Sequence, residues 1–140
     1  MIIGIGVDLC VSERVGDAIL RHGQRFLDRV FTSREQYLAG AAADPTAFYA
    51  GRFAAKEACV KALASGITER VRWEDCEVLQ SKAGELVLTL SGGALRRARR
   101  LAGKGRAIQL HVSIGGNRDV VTATVVISTI SKTHDHRLKA

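Results

Sequence analysis

One stretch, FYAGRFAAKEACVKALASGI at residues 48–67, constrains the rest of the chain. Asp44-Pro45 precedes it, a helix cap followed by proline at the first helical position, and Ser65-Gly66 closes it with a C-terminal glycine signal. No proline interrupts it and alanine is abundant, so a helix of about 20 residues is predicted. At about 100° per residue, Gly51, Ala54, Ala55, Ala58 and Ala62 share one face. Small side chains there let another backbone approach closely. Arg52, Lys56, Glu57 and Lys61 occupy the other half, with Phe53, Val60 and Leu63 set among them. Charges among apolar neighbours are partly desolvated and are candidates for function. The plain alternative is that Glu57 and Lys61, at i and i+4, form a helix-surface pair worth a few tenths of a kcal/mol.

The 140 residues suffice for one domain with a core, predicted over residues 1–131, with 132–140 as a frayed tail. Apolar runs such as Val120–Ile127 are too short to span a bilayer, so no membrane is expected. MIIGIGVDL at the start lacks the basic segment and cleavage site of a signal peptide. Cys10, Cys59 and Cys76 are odd in number and widely spaced, which suits reduced thiols in the core of a cytoplasmic protein. The net charge of +7 suits an anionic partner: nucleic acid, a phosphorylated small molecule or an acidic protein.

Ile2–Leu9 alternates, with Ile3, Ile5, Val7 and Leu9 on one face and Ile2, Gly4, Gly6 and Asp8 on the other. Asp8 thus shares a strand face with two glycines, where a backbone or a ligand can come close. Capping the next helix is the competing role for Asp8. That helix is expected at Ser12–His22 with Val15, Ala18 and Ile19 inward, then a short helical turn at Arg25–Val30 and a helix from Ser33, capped by Ser33 itself. Strands follow at Trp73–Gln80 and Glu85–Leu90 around a turn at Ser81–Gly84. A helix ending at Ala102 buries Leu95, Ala98 and Leu101 or Ala102 and carries arginines outside. Ile108–Ile114 is a strand with His111 and Ser113 outward, Gly115–Asp119 a tight turn, and Val120–Ile130 the last strand. His134-Asp135-His136 is a weak metal motif in a solvated tail. The sum is an α+β domain, a long helix packed on an antiparallel sheet.

Two carboxylates stand out: Asp8 beside glycines and Glu57 in mid-helix. If they converge they make an oxygen site of the kind that holds Mg²⁺ together with substrate phosphate oxygens, and Lys61, one turn from Glu57, would meet a phosphate charge. The residues alone do not establish that convergence.

Three blocks, GIGVDLCVSERV at 4–15, FYAGRFAAKEACVKALASGI at 48–67 and LHVSIGGNRDVVTATVVI at 110–127, resemble the signatures of the holo-acyl-carrier-protein synthases, the small bacterial 4′-phosphopantetheinyl transferases. The resemblance runs nearly end to end. It implies that fold, and transfer of the phosphopantetheine arm of coenzyme A, the co-substrate, to a serine of an acidic apo acyl carrier protein, with release of adenosine 3′,5′-bisphosphate. It implies Mg²⁺ held by Asp8 and Glu57, Lys61 near the coenzyme A phosphates and His111 near the nucleotide. Gly66 lies inside the second block and is a further expected coenzyme A contact. The resemblance also implies a homotrimer with a site at each subunit boundary.

Phosphoryl transfer needs positioning and charge neutralisation rather than a protein nucleophile, which these residue types supply. Glu57, directly or through water, is the candidate acceptor of the serine proton. A basic surface suits steering of an acidic carrier. The chain departs from the pattern at Gly115-Gly116, where many relatives have Ser-His, and at Ala43-Asp44-Pro45, where several have a basic residue. Arg52 or Lys56 is therefore the expected partner of the coenzyme A 3′-phosphate. The rival reading is a basic nucleic-acid-binding module built on the arginines of 96–106. The low aromatic content and the lack of an RNA- or DNA-binding motif count against it, so no nucleic acid is expected.

Overall fold

The computed structural model describes residues 1–67 and 70–131. The tail motif at 132–140 lies outside them. In chain order the elements are β1 (Ile2–Val11), α1 (Ser12–His22), α2 (Gln24–Val30), α3 (Ser33–Gly40), α4 (Pro45–Ala62), a short 3₁₀ turn (Trp73–Asp75), β2 (Cys76–Gln80), β3 (Leu86–Leu90), α5 (Gly92–Ala102), β4 (Arg106–Gly116) and β5 (Val120–Ser131). An antiparallel sheet in the order β1-β5-β4 carries α4 across one face, and β2 and β3 form a separate hairpin. The expected α+β arrangement is present, with two sheets instead of one.

The stripe of small residues makes α4 the centre of the molecule. Ala50, Ala54, Ala55 and Ala58 are wholly buried against the sheet. Contact is so close that a Cβ on Gly4 would lie 2.2 Å from the Ala62 carbonyl oxygen, and one on Gly6 only 1.8 Å from that of Ala58. The strand glycines therefore serve backbone approach. Cys10 continues their buried face, while Ile5, Val7 and Leu9 point away from the helix and stay more than half exposed, at 59%, 56% and 59%. The last strand behaves similarly: Val121, Ala123, Val125 and Ile127 are buried, and Thr122 and Thr124 face out.

Local chemistry moves several boundaries. Asp44 caps α4 as expected, its side chain accepting from the Ala47 amide at 3.1 Å. At the other end α4 stops before Ser65-Gly66, because Ala64 takes the left-handed conformation (φ 51°). The Ala64 amide then donates to Lys61 O at 3.0 Å and the Ser65 amide to Val60 O at 3.5 Å, the pairing that normally has glycine at its turn. The cap of α3 is Thr32, not Ser33: its hydroxyl accepts from the Glu35 amide while the Glu35 carboxylate accepts from the Thr32 amide. Trp73–Asp75 coils before β2 instead of extending it. In the β4–β5 turn, β4 runs on to Gly116, and the Asn117 side-chain oxygen accepts from the amides of Asp119 and Val120, both at 2.9 Å.

Candidate active site

Asp8 and Lys61 meet across the β1–α4 contact. The Lys61 ammonium donates to Asp8 Oδ1 at 2.7 Å and to the Val7 carbonyl at 3.2 Å. This contact decides two alternatives. Asp8 does not cap α1, which begins after Val11 with no side-chain cap. Lys61 reaches the strand carboxylate instead of closing an intrahelical pair with Glu57. Glu57, one turn earlier on α4, is half-buried and near enough to add to the electrostatics of the same group. The Asp8 hydrogen bond, then the charges of Asp8 and Glu57, hold the Lys61 ammonium above the ordinary lysine range despite some desolvation. Burial, with the nearby charges of Asp8 and Glu57, likewise pushes the Cys10 thiol up, so it stays protonated.

Asp8 and Lys61 are thus joined by a direct contact, and Glu57 lies one helical turn from Lys61, near enough to contribute to its electrostatics. The donor set suits Mg²⁺: two hard carboxylates, a neighbouring thiol too weakly acidic to compete, and an exposed ammonium for phosphate. Among the described residues no cluster of three or more potential metal ligands occurs. Water and ligand oxygens would therefore have to complete a Mg²⁺ shell, which is the usual arrangement for this ion.

Glu57 has a partner that the sequence did not reveal. The indole N–H of Trp73 donates to its Oε1 at 2.8 Å. Nothing in the spacing of 57 and 73 signals this, because it depends on the 3₁₀ turn that brings Trp73 back over α4.

The remaining expected residues are divided. Lys56 is a correction: it is wholly buried and its ammonium is committed to Glu35 at 2.7 Å, Cys76 O at 2.8 Å and Trp73 O at 3.2 Å. It has no proton left for a phosphate, and its role is to tie α3, α4 and β2 together. Arg52 is only 8% exposed, with its guanidinium 4.1 Å from the centre of the Phe48 ring and Nε without a hydrogen-bond partner. Gly66 follows α4 on the surface with φ 67°. His111 is exposed on β4, opposite Val126. It lies on the outer face of the sheet, whereas Asp8 lies on the face that packs on α4, so one chain does not bring His111 to the carboxylates. The outer face it occupies is the one that carries exposed Ile5, Val7 and Leu9.

Elsewhere on the surface, His22, Arg25, Phe26 and Arg29 line a cavity of about 390 Å³ on α1 and α2. Among the described residues no helix is long and apolar enough to cross a membrane.

Comparison with known proteins shows the family. Residues 4–125 match the family model of the 4′-phosphopantetheinyl transferase superfamily. A holo-[acyl-carrier-protein] synthase of Methylobacterium radiotolerans is 43% identical over 130 residues, covering 93% of this chain and 96% of its own. One from Rhodopseudomonas palustris is 46% identical over 134 residues, covering 93% and 95%. The crystal structure of the Neisseria meningitidis holo-[acyl-carrier-protein] synthase superposes with a TM-score of 0.78 at 30% identity, over 91% of this chain and 99% of that one. The Helicobacter pylori enzyme, solved in complex with coenzyme A, superposes with a TM-score of 0.72 at 30% identity, over 89% and 99%. In sequence and in fold, this chain belongs to the 4′-phosphopantetheinyl transferase superfamily.

Proposed function

We propose that this chain is a holo-acyl-carrier-protein synthase that moves the 4′-phosphopantetheine arm of coenzyme A to a serine of an acidic apo acyl carrier protein. The observation that carries the reading is the Asp8–Glu57–Lys61 cluster at the β1–α4 contact. Asp8 and Glu57 would hold Mg²⁺, which when bound neutralises the pyrophosphate and stabilises its leaving oxygen. Lys61 is 55% exposed along its side chain, so it is free to leave Asp8 for a phosphate oxygen once a cation takes the carboxylate.

The balance of the step is simple. The serine oxygen bonds to the phosphorus that bears the pantetheine arm. The bond from that phosphorus to the bridging oxygen breaks, and its electrons leave with adenosine 3′,5′-bisphosphate. The serine proton passes to Glu57, directly or through water. Lys56 drops out of the phosphate contacts, leaving Arg52 and Gly66 beside Lys61 and His111 as the coenzyme A contacts. Arg25 and Arg29 offer positive charge for an acidic carrier. We place the reaction in the cytoplasm, in keeping with three free, buried thiols. The test is direct: incubation with coenzyme A, Mg²⁺ and an apo carrier protein should raise the carrier's mass by one phosphopantetheinyl group.

The opposite-face placement of Asp8 and His111 favours a shared site in a homotrimer, with the uncovered sheet face as the subunit boundary. Asp8→Ala and His111→Ala proteins, each inactive alone, should then recover part of the wild-type activity when mixed under subunit exchange. Full activity in a monomer by light scattering, or no recovery despite demonstrated exchange, would refute sharing.

A further inference from the structure

Trp73 is the chain's single tryptophan, and its indole N–H is a donor with no acceptor capacity. That donor is spent on Glu57 Oε1 at 2.8 Å. The ring is fixed from two sides, by Phe53 with centroids 6.2 Å apart and by the Arg29 guanidinium 5.7 Å from its centre. Its backbone is fixed as well, since the Trp73 carbonyl accepts from the buried Lys56 ammonium at 3.2 Å, and Lys56 is itself locked to Glu35. A donor held at ring and backbone is rigid. Glu57, by contrast, has a long side chain that would otherwise sample several rotamers, each placing its oxygens differently.

The geometry points to Trp73 as a positioning residue for Glu57: it anchors Oε1 and so selects the other carboxylate oxygen, Oε2, to face the cation. This rests on the reading of Glu57 as a Mg²⁺ ligand. Hydrogen-bonding partners that orient a metal's ligands typically contribute 10–100-fold to affinity or activity. The indole does this from an uncharged group, so it fixes the carboxylate without adding a charge that would compete with the metal.

Trp73→Phe keeps a six-membered aromatic ring beside Phe53 and Arg29 and removes the N–H together with the pyrrole part of the indole. It should weaken Mn²⁺ binding, followed by electron paramagnetic resonance in the presence of coenzyme A, by about tenfold. The Mg²⁺ concentration for half-maximal transfer should rise in parallel, with a smaller change in the rate at saturating metal. A merely structural role would lower thermal stability without moving the metal affinity of the folded fraction. Mn²⁺ binding as tight as wild type in a folded Trp73→Phe protein would overturn the proposal. Glu57→Gln is the control on the underlying reading: it should lose Mn²⁺ binding whether or not Trp73 matters, and retained binding there would overturn the ligand role itself. A second measurement needs no tryptophan variant. Adding Mg²⁺ with coenzyme A should alter the emission of Trp73 in the wild type, and the part of that change beyond coenzyme A alone should vanish in Glu57→Gln. Emission that ignores Mg²⁺ would also overturn the proposal.

Discussion

Gly6→Ala should destabilise the protein by about 3 kcal/mol or more, at the upper end of the cost of overpacking a core. An alanine methyl at this site would lie 1.8 Å from the Ala58 carbonyl oxygen and 2.8 Å from the Ala62 nitrogen. These atoms belong to the backbone of α4, so no side chain can rotate aside. The strand and the helix must separate, and their separation is set by a whole row of contacts at Gly4, Gly6 and the alanines facing them. Against a typical net stability of about 5–15 kcal/mol, such a loss would be plain in a urea titration. Gly40→Ala is the matched control, because nothing lies within 4 Å of a methyl there and its backbone is ordinary helix. That change should stay within about 1 kcal/mol of wild type. An unchanged urea midpoint for Gly6→Ala would mean that the β1–α4 spacing is not fixed as described. The spacing matters beyond stability, since it places Asp8, two residues along β1, within reach of Lys61.

Asp8→Ala and Glu57→Ala should each lower the transfer rate by about 10²–10³-fold, the usual effect of removing a group that stabilises developing charge. Folding should be almost untouched in Asp8→Ala, whereas Glu57→Ala leaves the Trp73 indole N–H without its acceptor and should cost about 1–3 kcal/mol. The Asp8–Lys61 pair joins side chains that are 18% and 55% exposed, and pairs of that kind contribute about 1 kcal/mol or less. Thermal unfolding and transfer kinetics, measured on the same preparations, separate the two effects. Near-normal turnover in either variant at limiting Mg²⁺ would remove that carboxylate from the proposed metal site.

What the sequence disclosed was what local chemistry decides. The small-residue face of α4, the cap at Asp44 and the alternation along β1, β4 and β5 follow from neighbours a few residues apart. The helix end did not, because the glycine signal at Ser65-Gly66 marks a close, whereas Ala64 takes the left-handed turn before it. Lys56 and Lys61 show the limit more sharply. Both are lysines on one helix among apolar residues, yet one is sealed against Glu35 and the other reaches Asp8 at the surface. Their fates depend on partners 21 and 53 positions away, which α3 and β1 bring into place. The Trp73–Glu57 bond is of the same kind, made by a turn that a strand-like pattern concealed.

Intact-mass spectrometry of an apo acyl carrier protein, after incubation with this chain, coenzyme A and Mg²⁺, tests the proposed activity most directly. The carrier should gain one phosphopantetheinyl group at its serine, with adenosine 3′,5′-bisphosphate as the second product. The gain should disappear when Mg²⁺ is chelated or when the carrier serine is replaced by alanine. A carrier whose mass does not change under conditions that fully convert it with an established holo-acyl-carrier-protein synthase, or one modified equally well without its serine, would contradict the assignment.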